Sequence, residues 1–89
     1  MGVYVYILKI DNKSFYTGIT KNMVNRLNQH LSRQSISTKF YKEMSLMYCT
    51  VLDSYSLARK LEVKIKNLGA KKYLSRVNFT GQVFNFNYN

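Results

Sequence analysis

Two apolar runs flanking a four-residue turn signal constrain this chain more than any other feature. Val3 to Ile10 alternates, with Val3, Val5 and Ile7 on one side of a period of two and Tyr4, Tyr6 and Leu8 on the other. These β-branched and aromatic residues suit a pleated strand. Asp11-Asn12-Lys13-Ser14 follows, and Asp and Asn tolerate left-handed backbone while bonding their own main chain. Phe15 to Ile19 then returns as a second strand, closing a hairpin. Tyr6 and Tyr16 lie ten apart on adjacent strands, so the register decides whether their phenols share a face. Gly18 removes a side chain where backbone or ligand must come close.

The remaining elements read from period and punctuation. Thr20 is the expected N-cap of a helix over residues 21–33, with Val24, Leu27 and Leu31 as its apolar stripe. Residues 35–42 read as a polar, basic connector with a short helical turn, and Ser45 to Leu52 as a third strand. Asp53 or Ser54 caps a second helix whose buried stripe is Ala58, Leu61, Ile65 and Leu68, stopped by Gly69. Ala70 to Arg76 reads as a last short helix. In the tail, Phe84, Phe86 and Tyr88 alternate with asparagine, the pattern of an edge strand with one apolar face. Docking on the sheet is the expectation there; pairing with another protein or another copy is the other use of such a strand.

Eighty-nine residues suit one domain spanning 1–89. A chain of this size buries about 60–65% of its extended surface, enough for a thin core. No proline, four glycines and 46% hydrophobic residues argue for a compact globular chain without long loops or low-complexity tracts. Nothing approaches the length of a membrane span, and the N-terminus lacks the basic flank and apolar core of a secretory signal. The lone Cys49 excludes a disulfide framework within the chain and fits a reducing interior, so the expected location is intracellular: cytoplasmic, or nuclear in a eukaryotic or viral host. One cysteine and one histidine cannot build a structural zinc site.

Fourteen Lys and Arg against four Asp and Glu give a formal charge of +10. That balance calls for a partner of dense negative charge, and a phosphate backbone is the commonest one. An acidic membrane is the weaker alternative, because no helix sets a long apolar face against a lysine face. Arg26 and His30, four apart, share one helix face and could reach a common phosphate, although a solvated basic face would carry the same spacing. Glu62 projects from the edge of the second helix's buried stripe. A carboxylate there is either paired with a base such as Arg26 or holds a divalent cation, and Mg²⁺ needs only one or two carboxylates beside waters and substrate phosphates. The other acids sit in a turn (Asp11), the connector (Glu43) and a cap (Asp53), too scattered for a two-metal centre.

Tyr4-Val5-Tyr6, Tyr16-Thr17-Gly18, Arg26…His30 and Ala58…Glu62…Ile65-Lys66 together resemble the GIY-YIG nuclease superfamily over residues 3–68, the small single-domain members and the catalytic domains that cut branched DNA above all. The first motif lacks its glycine and isoleucine, as in the small members, and the 80–89 tail lies outside the likeness. The resemblance implies an α+β fold, a small three-stranded antiparallel sheet flanked by helices. It implies hydrolysis of a DNA phosphodiester with one Mg²⁺ or Mn²⁺ ion. By position, Tyr6, Tyr16, Arg26, His30 and Glu62 are the catalytic set, Gly18 the motif glycine and Glu62 the metal ligand. A late asparagine of some members corresponds best to Asn78, with Asn67 as another candidate.

On this reading water attacks the phosphorus in line. Tyr6 is the first choice as base, assisted by His30 or Tyr16, although a free phenol near pKa 10 needs help at neutral pH. Arg26 stabilises charge on the phosphoryl oxygens as a bidentate donor, and Glu62 sets the cation against the leaving oxygen. Lys39, Phe40, Tyr41 and Lys42 interleave cations with aromatics in a pattern suited to backbone contact and base stacking, and Lys66 belongs to a second basic stretch. DNA is the expected partner, with RNA as a variant of it. Nicks, flaps, junctions and damaged ends, the substrates of repair and recombination, fit a chain with no sequence-reading module. Two other functions share the composition: a nucleic-acid-binding module that does not cut, and an interaction protein using its tail or basic face.

Overall fold

The computed structural model describes residues 2–32, 42–77 and 84–87. The elements run β1 (Val3–Ile10), β2 (Ser14–Thr20), α1 (Met23–Leu31), β3 (Glu43–Leu52), α2 (Tyr55–Leu68), α3 (Ala70–Val77) and β4 (Phe84–Asn87). All strand pairs are antiparallel, in the order β2-β1-β3-β4. The fold is α+β. Its three expected strands form the sheet, and the tail strand adds a fourth at the edge, pairing Met44 with Phe86 and Leu46 with Phe84.

The hairpin turn depends on its polar residues. Asp11 and Asn12 take φ of 52° and 58°, the left-handed region that Asp and Asn tolerate best among residues with a Cβ. Asp11 also ties the turn to β3. Its carboxylate accepts from the backbone N–H of Lys42 at 2.7 Å and of Glu43 at 2.9 Å, and those bonds, Glu43's first, hold its pKa below the usual carboxylate value. Glu43 is therefore the first residue of β3 and not part of the connector, and the strand begins two residues before the expected Ser45.

Because strand side chains alternate, β1 builds two cores. Val3, Val5 and Ile7 pack on one face against Ala58 and Ile65 of α2 and Tyr73 of α3, with Leu61 and Leu68 closing the edges. Tyr6 and Leu8 face the other way, where Met44, Leu46, Tyr16 and the α1 residues Met23 and Leu27 surround them. The sheet is thus sandwiched between α1 on one side and α2 with α3 on the other.

Helix α1 departs from expectation at its start. Thr20 remains in β2, and its hydroxyl accepts from Asn22 N–H at 3.1 Å. The N-cap is Asn22, whose side chain accepts from Asn25 N–H at 2.9 Å. That register turns Val24 outward, 72% exposed, so Met23 replaces it on the buried face with Leu27. Helix α2 starts from Ser54 rather than Asp53, the Ser54 hydroxyl accepting from Leu57 N–H at 3.3 Å. Gly69 ends it with φ of 94°, a conformation glycine adopts without a Cβ penalty.

Candidate active site

The β1–β2 register sets Tyr6 opposite Gly18 and Leu8 opposite Tyr16, so the two phenols share the α1 face on a diagonal. Gly18 is buried because the Tyr6 ring lies over it. A Cβ there would overlap the Tyr6 hydroxyl and stand 2.5 Å from Tyr6 Cζ and 2.9 Å from Tyr16 Cε1. One turn apart on α1, Arg26 and His30 descend on this pair. The ring centroids of Tyr6 and Tyr16 are 6.1 Å apart, those of Tyr6 and His30 5.8 Å, and those of Tyr16 and His30 5.3 Å, the two histidine contacts edge-on.

Arg26 joins the cluster. Its Nε–H donates to the Tyr6 hydroxyl at 3.1 Å, its Nη2 to the Tyr16 hydroxyl at 3.1 Å, and its Nη1 to Gln29 Oε1 at 2.9 Å. A guanidinium has five N–H groups. Three are spent on the protein, which leaves one on each terminal nitrogen for a ligand. Tyr6 Oη also lies 3.0 Å from His30 Nε2. Gln29 escaped the sequence reading, although its i+3 spacing from Arg26 is the signal that could have found it. Cys49, paired with Tyr6 across β1 and β3, packs against the same cluster.

Burial sorts these groups into two layers. Tyr6 and His30 are fully buried, whereas Tyr16 and Arg26 are half-buried and reach the surface. Desolvation pushes the Tyr6 phenol up to about 12, the contact with Arg26 only partly offsetting it and Tyr16 adding to it. Desolvation, with the Arg26 charge beside it, pulls His30 down to about 4. His30 is therefore neutral at pH 7. Since Tyr6 already accepts from Arg26, the arrangement that satisfies both rings has Tyr6 donating to Nε2, with the imidazole proton on Nδ1. The phenol contacts raise the pKa of Arg26, Tyr6 foremost. Tyr6 has no exposed surface and therefore stays protonated at neutral pH.

Glu62 stands apart from this network. It lies on α2, which packs on the other face of the sheet, and its side chain is 8% exposed. Its partners are not Arg26 but neighbours on its own helix: Arg59 Nη1 at 2.6 Å from Oε1 and Lys66 Nζ at 3.2 Å from Oε2. Lys66 is thus engaged in an ion pair, while Lys42 is exposed beside the Asp11 turn. Lys39, Tyr41 and Asn78 lie outside the described residues, and Asn67 is exposed on α2. Among the described residues no three His, Cys, Asp or Glu side chains gather as a metal cage. A lone hard carboxylate still suits a Mg²⁺ ion that completes its shell from water and substrate phosphate, provided the ion displaces one of the two basic partners.

The GIY-YIG catalytic domain family matches residues 1–74. The chain belongs to the GIY-YIG family. That family is one of nucleases, and its domain implies a nucleic-acid substrate. The chain is 36% identical over 73 residues to a UPF0213 protein of Fusobacterium nucleatum, covering 81% of this chain and 73% of that one. It is 32% identical over 75 residues to a UPF0213 protein of Autographa californica nuclear polyhedrosis virus, covering 82% and 72%. The solution NMR structure of a UPF0213 protein from Bacillus halodurans superposes with a TM-score of 0.57 at 29% identity, covering 91% of this chain and 87% of that one. No helix among the described residues is long and apolar enough to cross a membrane.

Two outcomes follow from this geometry. Gly18→Ala forces both phenols off Arg26 and should destabilise the fold by about 1–3 kcal/mol, the usual penalty of overpacking; urea unfolding measures it, with the near-ultraviolet tyrosine signal reporting the displaced rings. For His30, the unfolded chain takes up a proton near pH 6.5 that the folded chain refuses until about pH 4. Stability should therefore fall as pH drops through that window. His30→Gln, which keeps an acceptor for Tyr6, should remove that part of the slope in pH-dependent denaturation.

Proposed function

We propose that the chain is a divalent-metal-dependent DNA endonuclease that binds the scissile phosphate at Arg26. The observation that carries this reading is the half-exposed guanidinium fixed by two phenols with two N–H groups left over. One on each terminal nitrogen can meet two oxygens of a phosphate, the bidentate geometry for which arginine is suited. Held by Tyr6, Tyr16 and Gln29, the group needs no reorganisation as charge grows on the phosphoryl oxygens.

The phenol at the surface is Tyr16, and it takes the role first expected of Tyr6. Its hydroxyl, accepting from Arg26, orders the attacking water and receives that water's proton while passing its own to solvent. Tyr6 and His30 form the layer beneath and act as positioning residues for Arg26. A cation would be held by Glu62, on the α2 side of the sheet and apart from the Arg26 cluster, and would supply positive charge to DNA bound there. The substrates are nicks, flaps, junctions or damaged ends rather than one base sequence, and the whole chain works as one domain. A non-cleaving binding module is the second reading, favoured by the engagement of both Glu62 oxygens with Arg59 and Lys66.

Cleavage of nicked, flapped, four-way and intact DNA, each with Mg²⁺ and with chelator, separates the two. The nuclease reading expects Mg²⁺-dependent cutting, abolished in Glu62→Ala with DNA binding retained, since that change leaves two cations in place. Tyr16→Phe should slow cutting about 10²–10⁴-fold, the range of a lost proton-transfer group. Mg²⁺-dependent activity surviving in Glu62→Ala refutes the metal assignment, and binding without cleavage under every condition favours the second reading.

A further inference from the structure

Between α2 and α3 lies an open groove of about 550 Å³, lined by Lys60, Val63, Lys64, Asn67, Leu68 and Arg76. Lys60 and Lys64 stand one turn apart on α2, and Arg76 faces them from the last turn of α3. Like charges at that spacing repel. No acidic side chain among the described residues lines the groove. The chain's four acidic side chains are Asp11 in the first turn, Glu43 at the start of β3, Asp53 ahead of α2, and Glu62, which Arg59 and Lys66 already hold. The groove thus concentrates three cations with no carboxylate partner among the described residues, over a floor that includes the 41% exposed Val63. Such a surface suits a polyanion whose charges repeat along an apolar-sided strand, which describes a nucleic-acid backbone.

Its position matters as much as its charge. The Arg26 cluster lies on the α1 face of the sheet, whereas α2 and α3 cover the opposite face. The molecule measures 36 × 27 × 22 Å, while duplex DNA stays straight over lengths many times greater. An intact duplex resting on one face cannot reach the other without a sharp bend. DNA with a joint can send one arm to each. We propose that the α2–α3 groove binds the backbone of a second DNA arm, so that jointed DNA is selected by two-faced contact. The assignment rests on the nuclease reading above and adds a site on the face of the sheet away from Arg26.

The test is binding of the full chain, in chelator so that nothing is cut, to flapped, four-way and intact duplex DNA of matched length across a salt series. The variant is Lys60→Gln, Lys64→Gln and Arg76→Gln together, all exposed positions, with circular dichroism reporting intact helices. For jointed DNA the triple variant should bind about tenfold or more weaker, and the dependence of log K on log salt should flatten by about 2–3, one cation contributing roughly 0.9. Intact duplex should bind nearly as before. Unchanged binding to jointed DNA overturns the groove, and an equal loss on intact duplex overturns the two-arm assignment. Wild-type protein that binds none of these DNAs overturns the nuclease reading beneath it.

Discussion

The guanidinium of Arg26 is the group on which the site depends, because its hydrogen bonds tie helix α1 to both strands of the first hairpin. It spans from Tyr6 on β1 to Tyr16 on β2 through two 3.1 Å hydrogen bonds. The register that pairs Tyr6 with Gly18 makes this span possible, since a side chain at that position would occupy the space of the Tyr6 phenol. Each part constrains the next. The turn at Asp11 and Asn12 sets the register, the register sets the phenols, and the phenols set the angle of Arg26.

Electrostatics then divide the cluster by depth. Fully buried Tyr6 is held protonated and fully buried His30 is held neutral, so one network carries a single charge, that of Arg26. A buried cation normally needs a carboxylate, but Arg26 reaches the surface and is solvated by hydroxyl and amide oxygens instead. An acid beside it would bring a competitor for the substrate's negative charge. With only four acids against fourteen Lys and Arg, the chain keeps its positive field largely uncompensated. The one well-buried carboxylate among the described residues, Glu62, draws its two cations from its own helix rather than from the cluster.

Much of the fold was legible because it follows from period and punctuation. The alternation of Val3, Val5 and Ile7 against Tyr6 and Leu8 gave both faces of β1, and the Ala58, Leu61, Ile65 and Leu68 stripe gave the buried side of α2. What failed was local competition among candidates. Thr20 is the cap the sequence suggests for α1, but the strand keeps it, Asn22 takes the cap, and the stripe turns from Val24 to Met23. For the site, spacing placed Arg26 and His30 on one helix face, while the shared face of Tyr6 and Tyr16 needed the strand register. The depths of these side chains did not follow from spacing, because burial depends on what crosses above a strand, and only the structure separates the interior Tyr6 from the outer Tyr16. The ion pairs of Glu62 were readable in principle from Arg59 at i−3 and Lys66 at i+4, the ordinary neighbours on a helix surface.

Replacing Arg26 by lysine tests the central claim most directly, since the charge stays while the fork of donors is lost. Single-turnover cleavage of a nicked duplex in Mg²⁺ is the measurement, with binding followed in parallel. The account expects cleavage about 10²–10³-fold slower, the range for a lost charge-stabilising donor, with binding nearly unchanged. Wild-type cleavage rates in Arg26→Lys would contradict it.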